Sequence, residues 1–403
     1  MVRHFAEEGS VDILDKCGEY TLTRELRAND LYAYFRSISS PQDPVVTIDG
    51  EKIIMLGSNN YLGLTNHPEI KTAAAKAVAK YGTGCAGSRL LNGTLDIHVE
   101  LEEAIAEFMN ADAVLTFSTG YQVNLGVISC LLGRHDIAFL DCLDHASIID
   151  GVRLGFGKSL KFKHNDMDDL EGKLKRSDET KGRMIIVDGV FSMEGDLCDL
   201  PGLVKLKNRY NTRLMVDDAH GLGVFGENGR GTAEHFGLEH EVDLTMGTFS
   251  KSLATVGGFI SGPKQVIEFI KHHARSQIFS AATPAPMAAA VIASLGVMKR
   301  EPERRKQLWE NTKYMMRELN NLGFDTGDSD SPVIPLVIGD EISAYTMVKR
   351  LQQEGVFANA IVPPAVPQGQ AMIRTSYMAT HTREHLDQAL TALAKVGREL
   401  DVI

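Results

Sequence analysis

The sequence predicts an α/β protein built on a mainly parallel central sheet covered on both faces by helices, with a smaller α+β domain at its C-terminal end. Three observations carry that expectation. Short apolar runs alternate with amphipathic stretches between Val114 and Met246. Three of those runs close on an aspartate (Asp141, Asp188 and Asp217), which puts carboxylates at strand C-termini, where open α/β sheets bind ligands. Near Pro302 the alternation gives way to a long helical pattern, a strand and further helices.

The elements follow in order. Residues 18–42 read as an arm with helical stretches, ending near Ser39-Ser40-Pro41. Residues 45–48 and 52–56 flank Asp49-Gly50 and predict a hairpin. The small, polar stretch from Gly57 through Asn60 to Leu64 suits a substrate-facing loop, although alone it reads as a plain turn. Pro68 opens a helix to about Lys80. A second glycine-rich loop, 82–89, precedes a helix with Leu101, Ile105, Phe108 and Met109 at core spacing. Strands are expected at 114–117, 137–141, 184–188, 214–217 and 244–246, and Ser118-Thr119-Gly120-Tyr121 turns into a helix starting near Gln122. After Pro302, a helix over 303–322, a strand over 333–338, a helix over 344–354 and a last helix carrying Leu386, Leu390, Leu393 and Val396 complete the chain. The domain reading is an arm and hairpin over 1–57, a large ligand-binding domain over 58–300 and an α+β domain over 301–403.

Composition narrows the function. The 403 residues are 43% apolar and 24% charged, ordinary for a globular protein. A net charge of -11 argues against a nucleic-acid partner, which needs a basic face. No apolar run is long enough to span a bilayer, and the first eight residues lack the apolar core of a signal peptide. Five scattered cysteines without CxxC spacing read as reduced thiols and exclude a zinc site, so no metal is expected. The expected location is cytoplasmic. The mixed apolar and basic segment 265–279 allows peripheral contact with the inner membrane face, but an ordinary packed helix is the commoner arrangement for such a pattern.

The chemistry centres on Gly247-Thr248-Phe249-Ser250-Lys251-Ser252-Leu253, followed by Gly257-Gly258. A lone lysine between hydroxyls, after an apolar run, suits an amine that carries an aldehyde cofactor as a Schiff base. Asp217, in Asp217-Asp218-Ala219-His220-Gly221, can hold a pyridine nitrogen protonated; the competing reading is a helix N-cap or a structural buried carboxylate. The strand-to-helix junction at Ser118-Thr119-Gly120-Tyr121 offers free backbone N–H groups to a phosphate. His145, in Asp144-His145-Ala146-Ser147, can stack on an aromatic ring, whereas most single histidines are structural. Each feature alone has a bland explanation. Their order over some 130 residues fits pyridoxal 5'-phosphate (PLP).

That order resembles the fold type I PLP enzymes, and more narrowly the α-oxoamine synthases, from about Asp30 to the C-terminus. The most specific strings are Ser58-Asn59-Asn60-Tyr61-Leu62-Gly63-Leu64, Asp188-Gly189-Val190-Phe191-Ser192-Met193-Glu194-Gly195-Asp196, Val216-Asp217-Asp218-Ala219-His220-Gly221 and Thr248-Phe249-Ser250-Lys251. Gly84-Cys85-Ala86-Gly87-Ser88-Arg89, Asn92-Gly93-Thr94 and Gly221-Leu222-Gly223-Val224-Phe225-Gly226 are most similar to the serine palmitoyltransferase branch. The string from Val366 to Thr375 is also similar to the ligase that joins glycine to acetyl-CoA.

The resemblance implies a homodimer with active sites at the interface. It also implies decarboxylative condensation of L-serine with a long-chain acyl-CoA (palmitoyl-CoA) to 3-ketodihydrosphingosine, CO2 and CoA, the first step of sphingolipid synthesis. The alternative is glycine C-acetyltransferase or another α-oxoamine synthase. By the same resemblance Lys251 holds the cofactor and then acts as base, Asp217 anchors the pyridinium, and His145 stacks on the ring and orients the substrate carboxylate. His220 bonds the phenolic oxygen, with Ser192 nearby. Gly120, Tyr121, Thr248 and Ser250 cradle the phosphate, joined by a hydroxyl of the partner chain, Ser280 or Thr283. Asn60 and Arg374 bind substrate. One departure is visible: Val362 precedes Pro363-Pro364-Ala365-Val366-Pro367, where some serine palmitoyltransferases carry an arginine.

Overall fold

The computed structural model describes residues 12–403; the leader-free reading of the first eight residues lies outside them. Two short helices, Asp15–Gly18 and Leu22–Ala28, precede β1 (Val45–Ile48) and β2 (Glu51–Met55), which form the antiparallel hairpin expected around Asp49-Gly50. Gly50 takes φ +86°, a turn conformation that side-chain-bearing residues resist.

The central sheet has seven strands: β3 (Ala113–Phe117), β4 (Ile137–Asp141), β5 (Lys158–Phe162), β6 (Arg183–Asp188), β7 (Arg213–Asp217), β8 (Leu244–Thr248) and β9 (Gly258–Gly262). Their order is β3-β9-β8-β7-β6-β4-β5, parallel except for β9, which runs antiparallel to both β3 and β8. The sequence reading missed β5 and β9. The first is an edge strand whose Lys158, Ser159 and Lys161 are exposed, and the second is a short run closed by glycines, so neither has an apolar signature. Every residue of β4 is buried, as expected for a strand covered on both faces.

The helix after β3 spans Gly120–Leu131, two residues earlier than the sequence suggested. Thr119 makes the difference: extended at φ -147°, it accepts the Gln122 N–H at 3.2 Å on its own hydroxyl and so caps the helix. Gly120 and Tyr121 therefore lie inside the first turn, where backbone N–H groups have no helical acceptor.

The C-terminal part begins with the helix Glu303–Leu322 and contains β10 (Val333–Gly339), β11 (Val356–Phe357), β12 (Asn359–Ile361) and β13 (Ala371–Ser376). One small sheet has the order β10-β13-β12; the other, β1-β2-β11, brings the N-terminal hairpin onto the C-terminal layer. Leu26, Ile54 and Leu56 accordingly share a core with Leu336, Ile373 and Leu393. Each such fully buried side chain contributes roughly 1.5–3 kcal/mol. In the helix Lys264–His273, Ile267 and Ile270 are buried while Phe269 is partly exposed and stacks on His273 at 3.9 Å. No helix among the described residues is long and apolar enough to cross a membrane.

Asn311 ties the C-terminal layer to the turn after β13. Its buried Nδ2 donates at 3.0 Å to the carbonyls of both Met378 and His381. Asn311→Leu strands two buried acceptors, so the unfolding free energy from urea titration should fall by about 2–4 kcal/mol.

Candidate active site

The C-terminal edge of the large sheet surrounds a cavity of about 370 Å³, a size suited to a small organic ligand. Its lining brings together Gly120, Tyr121, His145, Ser192, Asp217, His220, Thr248, Ser250 and Lys251, which lie far apart in the chain. Topology explains the convergence. β6 and β7 are neighbours with Asp188 in register with Asp217, and β8 delivers Thr248 on the other side of β7.

Lys251 follows β8, and its amine is drawn down to about 8 by burial, with Arg374 adding repulsion and Asp217 and Asp188 opposing the shift. An amine of that basicity is about one-tenth unprotonated at pH 7, roughly a hundredfold more than an ordinary lysine, and the unprotonated form attacks a carbonyl. Asp217 is 3% exposed; its Oδ2 accepts from Asn124 Nδ2 at 2.6 Å and its Oδ1 from the Ala219 N–H at 3.1 Å. Asp218 instead faces inward. It accepts from the Thr232 N–H at 2.6 Å and from the Thr232 hydroxyl, and burial pushes it up to about 7.

The first turn of the Gly120 helix also lines the cavity and lies against Thr248, whose hydroxyl is 3.0 Å from that of Ser250. A Cβ on Gly120 would sit 2.7 Å from the Thr248 hydroxyl, so only glycine leaves that approach open. Tyr121 is held by a hydrogen bond to Asp150 and meets the His145 ring edge-on at 6.3 Å. Burial holds His220 well below its ordinary basicity, as do the charges of Lys251 and Arg374; its Nδ1 pairs with the Tyr61 hydroxyl at 2.7 Å. Amine, carboxylate and hydroxyl-lined helix end are arranged as a phosphorylated pyridine aldehyde requires, so the donor set fits PLP.

Several expected residues lie outside the lining. Arg374, on β13, is 5% exposed and has no acidic partner among the described residues. Its three nitrogens donate to Ser192 O at 2.6 Å, Ser376 Oγ at 3.0 Å and Asn59 Oδ1 at 2.9 Å. Asn60 is turned away: its amide donates to Thr65 Oγ1 and Gln42 O and accepts from the Leu64 N–H, closing its own loop. Its neighbour Asn59 makes the contact with Arg374. Ser280 accepts from Gln122 Nε2 at 3.0 Å, and buried Thr283 donates to Phe117 O at 3.3 Å; neither reaches the cavity within one chain.

Sequence reasoning assigned no role to Asn124, Ser147 or Tyr61, and placed Asp188 only as one of three carboxylates at the ligand-binding strand ends. Asn124 had a signal, a polar residue in the otherwise apolar helix run around Val123, Leu125, Val127 and Ile128. A second hollow of about 690 Å³ adjoins the first, sharing His145 and Ser192 and walled by Leu143, Met193, Ala365 and Val366.

Comparison with known proteins agrees with this geometry. The family profile for aminotransferases of class I and II matches residues 51–393. A serine palmitoyltransferase of Sphingobacterium spiritivorum is 50% identical over 96% of this chain and 97% of its own. An 8-amino-7-oxononanoate synthase of Symbiobacterium thermophilum is 46% identical over 94% of this chain and 97% of its own. The solved serine palmitoyltransferase of S. paucimobilis with bound PLP–myriocin aldimine superimposes with a TM-score of 0.95 at 34% identity, covering 97% of this chain and all of that one.

The lowered basicity of Lys251 makes a direct prediction. In cofactor-free protein, the rate at which Lys251 reacts with a small aldehyde, trapped by borohydride and located by mass spectrometry, should rise about tenfold per pH unit and level off near pH 8. An ordinary surface lysine would keep rising past pH 10.

Proposed function

Because the chain belongs to the aminotransferase class I and II family, within its α-oxoamine synthase branch, we propose that it condenses L-serine with a long-chain acyl-CoA, releasing CO2 and CoA. Arg374 is the observation that carries this reading. A buried guanidinium without an acidic partner among the described residues, beside a cavity holding a low-basicity amine, matches the α-carboxylate of an amino acid.

Bound in the cavity, PLP supplies the electron sink that makes an amino-acid Cα acidic. Lys251 would hold it covalently, and its free amine is placed to take the Cα proton. Asp217 would keep the pyridine nitrogen protonated, and His220 and Ser192 would bond the phenolic oxygen. The Gly120–Tyr121 turn with Thr248 and Ser250 would hold the phosphate. His145 would cover the ring and orient the carboxylate with Arg374. The adjoining apolar hollow is the natural entry for the acyl thioester, whose carbonyl must reach the same Cα.

The functional unit in this proposal is a homodimer. Leu91 and Phe279, 80% and 73% exposed, sit on loops joined by the Ala282 N–H to Gly87 O bond, and Val256 at the cavity is 53% exposed. Isolated monomers rarely leave such a group bare around a site. Of the two candidate partner hydroxyls, Ser280 is the accessible one. Peripheral membrane contact rests on the lipid solubility of the product and on the exposed edge of Phe269.

Absorbance titration of the PLP-loaded protein with L-serine, glycine and L-alanine, then palmitoyl-CoA or acetyl-CoA with detection of free CoA, tests the substrates. Serine binding with turnover only on the long thioester is expected; preference for glycine and acetyl-CoA would transfer the protein to the ligase reading. Arg374→Ala should raise KM for the amino acid about 10²-fold or more while KM for the thioester changes little. Sedimentation equilibrium should give twice the chain mass.

A further inference from the structure

Behind the cavity lies a chain of buried hydrogen bonds that determines how His145 is presented. Asn124 is fully buried, and its Nδ2 donates twice, to Asp217 Oδ2 at 2.6 Å and to Ser147 Oγ at 2.8 Å. A carboxylate oxygen accepts, so the NH2 end of the amide must face Asp217. Ser147 Oγ thus already accepts from Asn124. Its one proton is directed to the remaining neighbour, His145 Nδ1, at 2.7 Å. The same Nδ1 lies 3.3 Å from the Ser147 backbone N–H, which also can only donate.

A ring nitrogen that accepts from a hydroxyl and an amide carries no proton, so a neutral imidazole there is protonated on Nε2. Burial lowers the basicity of His145 and keeps the ring neutral; the Lys251 charge acts in the same direction and Asp217 against it. The opposite tautomer would set the Nδ1 proton against the Ser147 N–H and leave the buried Ser147 hydroxyl proton without an acceptor. Nε2 makes no hydrogen bond to the described residues, and the ring lines the cavity.

We infer that Asn124 and Ser147 are positioning residues that fix His145 as its Nε2–H tautomer and so present a neutral N–H donor to the cavity. The donor suits a carboxylate or another anionic oxygen of the ligand. Only that last step rests on the proposed function; the tautomer is a property of the protein's own side chains.

The test is ¹⁵N NMR of histidine-labelled protein, with and without PLP, His145 being assigned by its loss in His145→Asn. The expected wild-type spectrum has an unprotonated Nδ1 and a protonated Nε2. In Ser147→Ala and in Asn124→Ala the ratio of Nε2–H to Nδ1–H forms should fall by about fivefold or more, as loss of one buried hydrogen bond implies, and Ser147→Thr should restore it. A wild-type ring protonated on Nδ1 overturns the inference even if neither variant folds, and so does a His145 spectrum unchanged in both variants. A shifted tautomer with an unaltered KM for L-serine upholds the relay and removes His145 from carboxylate binding.

Discussion

The structure depends on how three neighbouring strands end. β6 lies between β4 and β7, and these strands deliver Asp141, Asp188 and Asp217 to one poorly solvated edge, with Asp144 just beyond. Like charges so close, with little water, repel strongly. The fold disposes of them one at a time. Asp141 and Asp196 share His164, which their hydrogen bonds push up to about 10 although burial acts against it, so the pair holds a cation. Asp188 and Asp144 are driven well above the usual carboxylate range by burial and by their acidic neighbours. Asp188 then accepts the His145 N–H at 2.7 Å, and its own N–H donates to Asp144 at 3.0 Å. Asp217 receives a side-chain amide and a backbone N–H, and like Asp188 it opens onto the cavity and feels the Lys251 charge.

The same economy governs the positive groups. Burial lowers the basicity of Lys251 and His220, the Arg374 charge adds to both shifts, and of the three only the guanidinium is chemically unable to give up its charge. The site therefore offers an amine and an imidazole that are readily neutral beside one permanent cation. That set matches an amino acid, whose carboxylate needs the cation and whose ammonium group must lose a proton before it can react.

Much of this was legible in the sequence because strand-ending aspartates, a hydroxyl-flanked lysine and a glycine at a strand-to-helix turn have few physical uses in combination. The seven-stranded sheet emerged for the same reason wherever strands were apolar on both faces, and failed at β5 and β9, where exposure or glycine removed the pattern. Asn60 and Asn59 illustrate a sharper limit. Two adjacent asparagines differ by one step of backbone, and only the fold decides which closes a loop and which meets Arg374. Asn124 stood out as a polar residue in an apolar helix, but its partner Asp217 lies 93 positions away, and no spacing rule joins them.

Arg374 belongs to β13 in the small sheet, whereas the residues lining the main cavity all fall between Thr119 and Gly257, on the large sheet and its loops. In the proposed reading, the groups that hold the cofactor and the guanidinium that meets the substrate carboxylate therefore come from different sheets, joined through Ser192 and Asn59. Descendants of such a chain can vary the edge of the small sheet and the adjacent 362–368 loop, and with them the substrates accepted, while leaving the chemistry intact. Divergence of substrate within a shared reaction is what that division of labour permits.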